Sequence, residues 1–367
     1  MKAKKKYGFD PDYAIPPGET LKDLMESLGM SQKELSKRTG LTVQSLNRIM
    51  KGEQPITYDT ANILELVTNL PARMWNNLEA NYREQLAKIK EHERLKENVV
   101  WLKNIPVNEL KKRGMISDNK DNFLILHDVL KFYGVGSVSG WEKIWDEPKV
   151  AARRSVCFET RPGHASAWIR LGELQAHTIE CKPYSKKKFE AAIKNIRKLT
   201  ILNPNEFIPK MIELCAEAGV ALALVPEMKK VPWSGATKWL TPNKAMILLN
   251  LRGKGEDLFW FAFFHEAGHV LHDSKKDLYI NDKSKIDPKE VAADLFASEI
   301  LIPAKFKQQV VNLKSRDEVK LLAKELGICT GIVVGQFEYL TKKWGWFKEL
   351  KRKLMWVDAT HLRRDNL

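Results

Sequence analysis

The stretch that decides how the C-terminal half of this chain folds is Leu258-Phe-Trp-Phe-Ala-Phe-Phe-His265-Glu266-Ala-Gly-His269. Its apolar run predicts a buried helix, on which residues four apart lie on one face. His265 and His269 can therefore each offer an imidazole nitrogen to one metal ion, with Glu266 placed to take a proton from a metal-bound water. This H-E-x-x-H spacing predicts the core of a zinc peptidase. Two histidines satisfied on a helix surface would share the spacing, but imidazoles in so apolar a run need a partner that offsets desolvation.

A second predicted helix offers a third ligand. It runs from Glu290 to Pro303 after the pair Asp287-Pro288, and such prolines mark helix starts and ends. A catalytic zinc site takes three protein ligands, and Glu290 opens this helix. Asp294, one turn later, is placed to accept the N–H of a ligating histidine and fix its tautomer. Glu299 is the alternative third ligand, which we interpret as a structural or pocket-wall carboxylate.

Three segments of this half, residues 233–239, 259–272 and 290–303, resemble the ImmA/IrrE metallopeptidases. The resemblance implies a small zincin-like domain with zinc bound by two histidines and one glutamate. It also implies a cytoplasmic regulatory protease that cuts a repressor or a similar partner protein. Carried over to this sequence, the ligands are His265, His269 and Glu290, and the catalytic base is Glu266. Asp294 falls where the family often has Asn or Asp, and no oxyanion-stabilising residue is identified.

Residues 31–50 have the pattern of a helix, a turn and a second helix. Gly40 supplies the turn, and Ser31 and Thr42 are expected to cap the two helices. Polar positions on the second helix can reach base edges and phosphates in a DNA major groove, while Gln32 is expected to contact a phosphate. The predicted DNA-contacting residues are Gln32, Thr42, Gln44, Ser45, Asn47 and Arg48. A helical hairpin that binds protein is the alternative interpretation.

The wider stretch from about residue 15 to residue 90 resembles the HigA-type antitoxins of the lambda-repressor-like, or XRE, class. Residues 17–24, 52–57 and 75–82 carry this resemblance. It implies operator DNA as a partner, bound by a homodimer, and repression of the gene's own promoter, often beside a toxin gene.

The net charge of +15 is unevenly spread over the 367 residues. Residues 1–100 hold 16 Lys and Arg against 14 Asp and Glu, whereas residues 101–200 hold 19 against 11. The surplus thus lies mostly outside the predicted DNA-binding head, in clusters such as residues 111–113 and 186–188. For these clusters a solvated surface is favoured slightly over non-specific phosphate attraction.

Cysteine usage and hydropathy indicate the compartment. Cys157, Cys181, Cys215 and Cys329 form no C-x-x-C pair, which is typical of reduced thiols in a cytosol. No apolar stretch reaches the length of a membrane span, and no signal peptide opens the chain. We therefore expect a cytoplasmic protein with no membrane partner.

These signals predict a mainly α-helical chain with an α+β C-terminal domain. The expected order is a basic tail (1–14), a lambda-repressor-like helix-turn-helix domain with a long C-terminal helix (15–98), a helical linker region (99–205), a zincin-like metallopeptidase domain with a small sheet (206–350) and a C-terminal tail (351–367). Strands are predicted over residues 220–225, 235–240 and 246–250. A helix–glycine–helix pattern after Val319 is interpreted as a packing hairpin rather than a second DNA reader.

Together the motifs predict a DNA-binding transcriptional regulator that carries a zinc-dependent endopeptidase and cleaves a repressor or a toxin–antitoxin component. Two alternatives stay open. One is an autorepressing antitoxin-like protein whose zinc site is structural or senses metal without proteolysis. The other is a peptidase whose N-terminal head binds a protein partner.

Overall fold

The computed structural model describes residues 13–145, 161–273, 278–280 and 288–356. The chain divides into two compact units, Met1–Val99 and Val100–Leu367. The predicted basic tail lies outside the described residues except for its last two positions, as does the segment from residue 357 onward.

The described part of the first unit consists of five α-helices around an apolar core. They are α1 (Pro17–Ser27), α2 (Gln32–Thr39), α3 (Val43–Met50), α4 (Tyr58–Thr68) and α5 (Ala72–Lys96). Leu21, Leu35, Leu46, Ile49 and Trp75 are buried in this core. The long charged helix expected after residue 71 is confirmed as α5.

Local side-chain hydrogen bonds explain where α2 and α3 begin. The Ser31 hydroxyl accepts the N–H of Glu34 at 3.2 Å, and the Thr42 hydroxyl accepts that of Ser45 at 3.1 Å. Gly40 ends α2 with φ at 71°, a left-handed conformation that favours glycine. Ser31 and Thr42 therefore cap these helices as expected, while the Glu34 carboxylate pairs with Arg38 at 2.6 Å.

The second unit combines helices with one small sheet. Its elements are α6 (Val107–Lys112), α7 (Asn122–Tyr133), α8 (Val138–Trp145), α9 (Pro162–Thr178), α10 (Lys186–Lys198), α11 (Pro204–Glu217), β1 (Val220–Leu224), β2 (Gly235–Thr241), β3 (Lys244–Leu249), α12 (Glu256–His272), β4 (Leu278–Ile280), α13 (Pro288–Leu301), α14 (Lys307–Val311), α15 (Arg316–Leu326) and α16 (Thr330–Thr341). Short 3-10 segments lie at Val99–Asn104, Leu199–Ile201, Ala304–Phe306 and Lys348–Leu350. The predicted mainly helical fold with a small sheet is confirmed.

The strand order in the sheet is β1-β3-β2-β4. β1 runs parallel to β3, while β2 is antiparallel to both β3 and β4. The three predicted strands correspond to β1, β2 and β3. β4 was not predicted, because three residues are too few to show the alternation that reveals a strand.

Helices cover both faces of the sheet, and this changes the interpretation of the middle region. Thr237 and Ile247 face the core that contains α12, whereas the other face packs against α9, where Gly172 fits closely over Leu248. Residues 99–205 were expected to be a linker, yet the described residues of this region from Val100 onward belong to the same compact unit as the sheet. The reason is that β1 is buried along its whole length and needs α9 as its cover.

A second anchor of the middle region is Arg113, from a basic cluster expected to be solvated. That interpretation is wrong for this residue. Its side chain is only 11% exposed, pairs with Glu109 at 2.8 Å and donates to the carbonyl oxygen of Glu227 at 2.8 Å. Arg113 therefore ties α6 to the loop that precedes β2.

The segment after residue 350 was expected to be a tail, but residues 351–356 are part of the fold. Arg352 pairs with the fully buried Glu256 at 2.6 Å, and Lys351 pairs with Asp257 at 2.8 Å. Leu354 is buried in the main core. The two acidic residues at the start of α12 need buried countercharges, which these residues supply.

The remaining expectations concern the hairpin, the cysteines and the membrane. α15 and α16 pack into the same core as α12, as expected for a packing hairpin. Cys181, Cys215 and Cys329 are free thiols, while Cys157 lies outside the described residues. In the part of the chain that the structure describes, no helix is long and apolar enough to cross a membrane.

Candidate metal centre

Three side chains from two packed helices converge on one point. His265 and His269 lie one turn apart on α12, and their Nε2 atoms are 3.1 Å from each other. Glu290, in the first turn of α13, places Oε2 at 3.1 Å from the His265 Nε2 and Oε1 at 3.3 Å from the His269 Nε2. The three residues predicted as ligands therefore form a group in which each offers one ligand atom, all within 4.8 Å of one another.

The outward nitrogen of each imidazole is held by a carboxylate. His265 Nδ1 donates to Asp294 Oδ1 at 2.8 Å, and His269 Nδ1 donates to Asp273 Oδ2 at 2.6 Å. An ionised carboxylate only accepts hydrogen bonds, so both Nδ1 atoms carry the proton. In the neutral imidazoles both Nε2 atoms then hold a lone pair directed at the centre of the group.

This arrangement fits a zinc ion. Two Nε2 lone pairs and a carboxylate would repel one another unless a cation or protons lay between them. Ligand atoms bound to one tetrahedral zinc at its usual bond lengths are about 3.3 Å apart, close to the separations seen here. Two imidazoles and one carboxylate are also a donor set that zinc commonly takes in catalytic sites.

Without a metal, protons take its place between the ligands. Burial disfavours the charged form, but hydrogen bonds to Asp294 and Glu290 outweigh it and raise the pKa of His265 to about 10. Burial also opposes the hydrogen bonds from His265 and His269 that lower the pKa of Glu290 to about 2. The metal-free group is thus held together by protonated imidazole and ionised carboxylate.

Glu266 is the residue with the most unusual surroundings. Its side chain is 0% exposed, and burial raises its pKa, against the opposing effect of the two neighbouring histidines. Thr237 of β2 donates its hydroxyl to Glu266 Oε2 at 2.7 Å. Oε1 is buried and accepts no hydrogen bond within the described part of the chain. One carboxylate oxygen is therefore fixed, and the other has its lone pairs available.

Small residues make room for this geometry. A Cβ atom on Gly235 would lie 2.6 Å from Glu266 Oε1, so glycine is required beside the carboxylate. A Cβ on Gly268, inside the motif, would lie 3.3 Å from the Cα of Ala293 on α13. Gly268 thus lets α12 and α13 approach closely enough for Glu290 to reach the histidines.

The alternative third ligand has a different role. Glu299 is exposed near the end of α13, where it accepts the N–H of Ala304 at 2.9 Å. It is not a member of the metal-binding group found among the described residues. The geometry therefore favours Glu290.

Sequence reasoning left two residues of this site without a role. Asp273 lies four positions after His269, a spacing that could have identified it as a carboxylate on the same helix face. Thr237 is 29 positions from Glu266 and reaches it only because β2 lies beside α12. No local sequence signal would have indicated that second contact.

In the first unit, the predicted DNA-contacting residues fall into two groups. Gln44, Asn47 and Arg48 are exposed on α3. The others also have structural partners: Thr42 caps α3, the Ser45 hydroxyl accepts from Gln54 at 2.8 Å, and Gln32 donates to the Met50 sulfur at 3.0 Å. The first group is therefore the better candidate for contacts with bases.

Comparison with known families agrees with both halves of this description. Residues 21–75 match the helix-turn-helix family, and residues 227–335 match a peptidase family described as IrrE N-terminal-like domain. The chain therefore has an N-terminal helix-turn-helix domain and a C-terminal metallopeptidase-like domain. The first match supports the general helix-turn-helix class and not the narrower HigA-type assignment. No curated protein matches the chain.

Proposed function

We propose that this protein is a DNA-binding regulator whose second unit is a zinc-dependent endopeptidase that cleaves a regulatory protein, such as a repressor or a toxin partner. The observation that carries the proposal is the position of Glu266. A fully buried carboxylate, one oxygen of which accepts no hydrogen bond from the described residues, lies directly beside a group of two imidazoles and one carboxylate suited to zinc. A purely structural zinc site needs four closed ligands and no such base.

In the proposed reaction, His265, His269 and Glu290 hold the metal, while Asp294 and Asp273 orient the two imidazoles. Zinc, when bound, would polarise the peptide carbonyl and make an attacking water more acidic. Glu266 accepts the proton of that water at Oε1 and passes it to the leaving amine. Thr237 holds Oε2 and so keeps Oε1 turned toward the reacting atoms.

The sheet suggests how a peptide could lie beside this centre. Among the described strands, β4 is at the edge next to β2, the strand that carries Thr237. An extended peptide can add to an exposed sheet edge through main-chain hydrogen bonds. We therefore expect the substrate to pair along β4 rather than along β1, the other edge.

For DNA binding, α3 is the proposed recognition helix. Gln44, Asn47 and Arg48 are expected to contact operator bases and phosphates, with Thr42, Ser45 and Gln32 at the margin of the contact. Replacement of Gln44 or Arg48 by alanine should weaken binding to DNA from upstream of the gene in a gel-shift assay. Unchanged binding would favour a head that recognises a protein.

The decisive experiment for proteolysis uses Glu266→Gln, which keeps the shape of the side chain but removes the base. The variant should retain zinc, measured by elemental analysis, and retain DNA binding. Comparison of protein lifetimes and new N-termini in cells expressing wild type or variant should show at least one regulatory protein cleaved only by wild type. Glu299→Gln, a change to an exposed carboxylate on α13, is the matched control and should cleave normally.

If wild type and Glu266→Gln give identical protein lifetimes while both bind zinc and DNA, the peptidase proposal fails. An autorepressor with a structural or metal-sensing zinc site would then be the better description. In that case removal of zinc should alter DNA binding in both proteins equally.

A further inference from the structure

We propose that the outer side of α10 binds the phosphate backbone of duplex DNA. This surface, the α10 lysine face, consists of Lys187, Lys194 and Lys198, flanked by Lys186 and Lys188. It lies on the peptidase unit rather than on the helix-turn-helix domain. The inference rests on the proposed DNA binding by the first unit and assigns the electrostatic part of that binding to the second.

The charge distribution between the units is the first argument. Residues 1–99, the first unit, carry 16 Lys and Arg against 14 Asp and Glu, a net charge of only +2. Residues 100–367 carry 45 against 32. Sequence-independent affinity for DNA comes mainly from cations that neutralise phosphates. A head with a net charge of +2 supplies little of this affinity, whereas the second unit carries a surplus of 13 positive charges.

Part of this surplus of positive charge lies along one side of α10. Phe189, Ile193 and Ile196 are buried in the core, which fixes the opposite side of the helix toward solvent. Lys187, Lys194 and Lys198 are spaced by seven and four residues, so they project from one side over a length of about 16 Å. All three are exposed.

The helix itself is firmly anchored, which presents the lysines on a rigid support. Arg197 points inward and donates to the carbonyl oxygens of Ile300, Leu301 and Leu326 at 2.6, 3.1 and 2.9 Å. These bonds tie α10 to the ends of α13 and α15. Among the described residues, no side-chain hydrogen bond ties the outward lysines to another element.

The ammonium groups of this face are also not neutralised locally. In the described part of the chain, no carboxylate forms an ion pair with any of the five lysines. Glu190, the one acidic residue in the sequence of α10, lies on this same side, three residues after Lys187 and four before Lys194, but it forms no ion pair with either among the described residues. By contrast α15 mixes signs, with Lys320 paired to Asp317 at 3.3 Å. The α10 lysine face is therefore complementary to a polyanion.

The test measures the affinity of the full chain for a 30-bp duplex of random sequence at several salt concentrations. The slope of log K for association against log salt is negative, and each lost phosphate contact should reduce its magnitude by about 0.9. The triple variant Lys187→Gln, Lys194→Gln, Lys198→Gln should therefore reduce the magnitude of the slope by about 2.7. Wild type should consequently lose about 40-fold more affinity than the variant between 50 and 200 mM salt.

A matched control removes the same charge elsewhere on the same unit. Lys314→Gln, Lys320→Gln, Lys324→Gln changes exposed lysines that lie among Asp317, Glu318 and Glu325. Its slope should equal that of wild type. All six positions are exposed, and circular dichroism should confirm that both triple variants fold. Lys194→Gln alone should reduce the magnitude of the salt slope by about 0.9.

The inference is overturned if the two triple variants have equal slopes. The variant Arg48→Ala distinguishes failure of this inference from failure of the proposed DNA binding by the first unit. If Arg48→Ala weakens operator binding while the α10 variant behaves like the control, only the inference falls. If neither change affects DNA binding, the DNA-binding proposal falls with it.

Discussion

His269 Nδ1 donates a hydrogen bond of 2.6 Å to the carboxylate of Asp273, one turn further along the same chain segment. His265 has the equivalent partner in Asp294, at 2.8 Å, but on another helix. Each imidazole thus has its tautomer fixed by a carboxylate, and the two partners differ in solvent access. The side chain of Asp273 is 10% exposed and that of Asp294 is 58% exposed.

Replacement of either partner by asparagine should weaken zinc binding by about 10- to 100-fold, the usual effect of losing such an orienting carboxylate. Asp273→Asn should have the larger effect, because its hydrogen bond is shielded from water. Competition with a zinc-binding dye measures both affinities. The exposed Asp317→Asn is the control. Equal affinity for Asp273→Asn and wild type would mean that Asp273 only caps α12.

Glu290→Gln and Glu299→Gln should give opposite results for metal content. The first removes a proposed charged ligand and should leave zinc occupancy strongly reduced after dialysis. The second removes only the charge of a surface carboxylate, since the glutamine amide oxygen can still accept the Ala304 N–H, and it should leave occupancy unchanged. Elemental analysis of both purified variants decides between them. Retention of zinc by Glu290→Gln would require another third ligand.

Thr237→Val should shift the pH dependence of cleavage. The Thr237 hydroxyl bonds to the Glu266 carboxylate and lowers its pKa, against the dominant effect of burial. Loss of the bond raises that pKa further, so the ionised base forms only at higher pH. The acidic limb of the kcat/KM profile should therefore move upward, with zinc content unchanged. Thr341→Val, whose hydroxyl bonds to the Phe337 carbonyl oxygen in α16, should leave the limb in place.

Without zinc, the stability contributed by the ligand group should depend on pH in both directions. Although burial opposes it, the pKa of His265 is raised from 6.5 to about 10, so its contribution is complete below pH 6.5 and lost as the pH rises through about 10. That of Glu290, where burial is likewise outweighed, is lowered from 4.5 to about 2, so its contribution is complete above pH 4.5 and lost as the pH falls through about 2.

The contribution of these two residues to the free energy of unfolding should therefore be greatest between pH 4.5 and 6.5. Urea unfolding in the presence of a chelator, compared for wild type and Glu290→Gln, measures it. The difference between the two proteins should shrink toward either extreme. A difference independent of pH would contradict the protonated-imidazole description of the metal-free site.

Arg352→Met should destabilise the second unit by about 3–5 kcal/mol, because it leaves the fully buried Glu256 without its countercharge. Arg316→Met is the matched control, since the pair of Arg316 with Glu349 is exposed and such pairs contribute about 0–1 kcal/mol. Urea unfolding followed by tryptophan fluorescence compares them. Equal effects would show that the segment after residue 350 does not anchor α12.

Several features of the fold were readable from sequence because they depend on local spacing. The four-residue interval between His265 and His269, and that between Glu290 and Asp294, fix which side chains share a helix face. Caps such as Ser31 and the turn at Gly40 mark where helices begin and end. The predicted helices of the middle region and three of the four strands were correct for the same reason.

Other features required the tertiary structure, because they join residues distant in sequence. The apolar periodicity predicted helices in residues 99–205 but could not show which elements they pack against. We therefore interpreted α9 as part of a linker, whereas it covers β1 and β3. The pairing of Arg352 with the buried Glu256 spans 96 positions, and a basic residue at such a position looks like solvated surface until its partner is known.

The sequence by itself thus determined the proposed ligands, the base and the two domain types, since each depends on residue identity at short spacing. Only the packing of α12 against β2 and α13 decided how that chemistry is arranged. It brings Thr237 to one oxygen of Glu266, leaves the other oxygen without a hydrogen bond from the described residues, and places Glu290, rather than Glu299, beside the two histidines. Such contacts depend on the distance between elements, which the close approach at Gly235 and Gly268 sets.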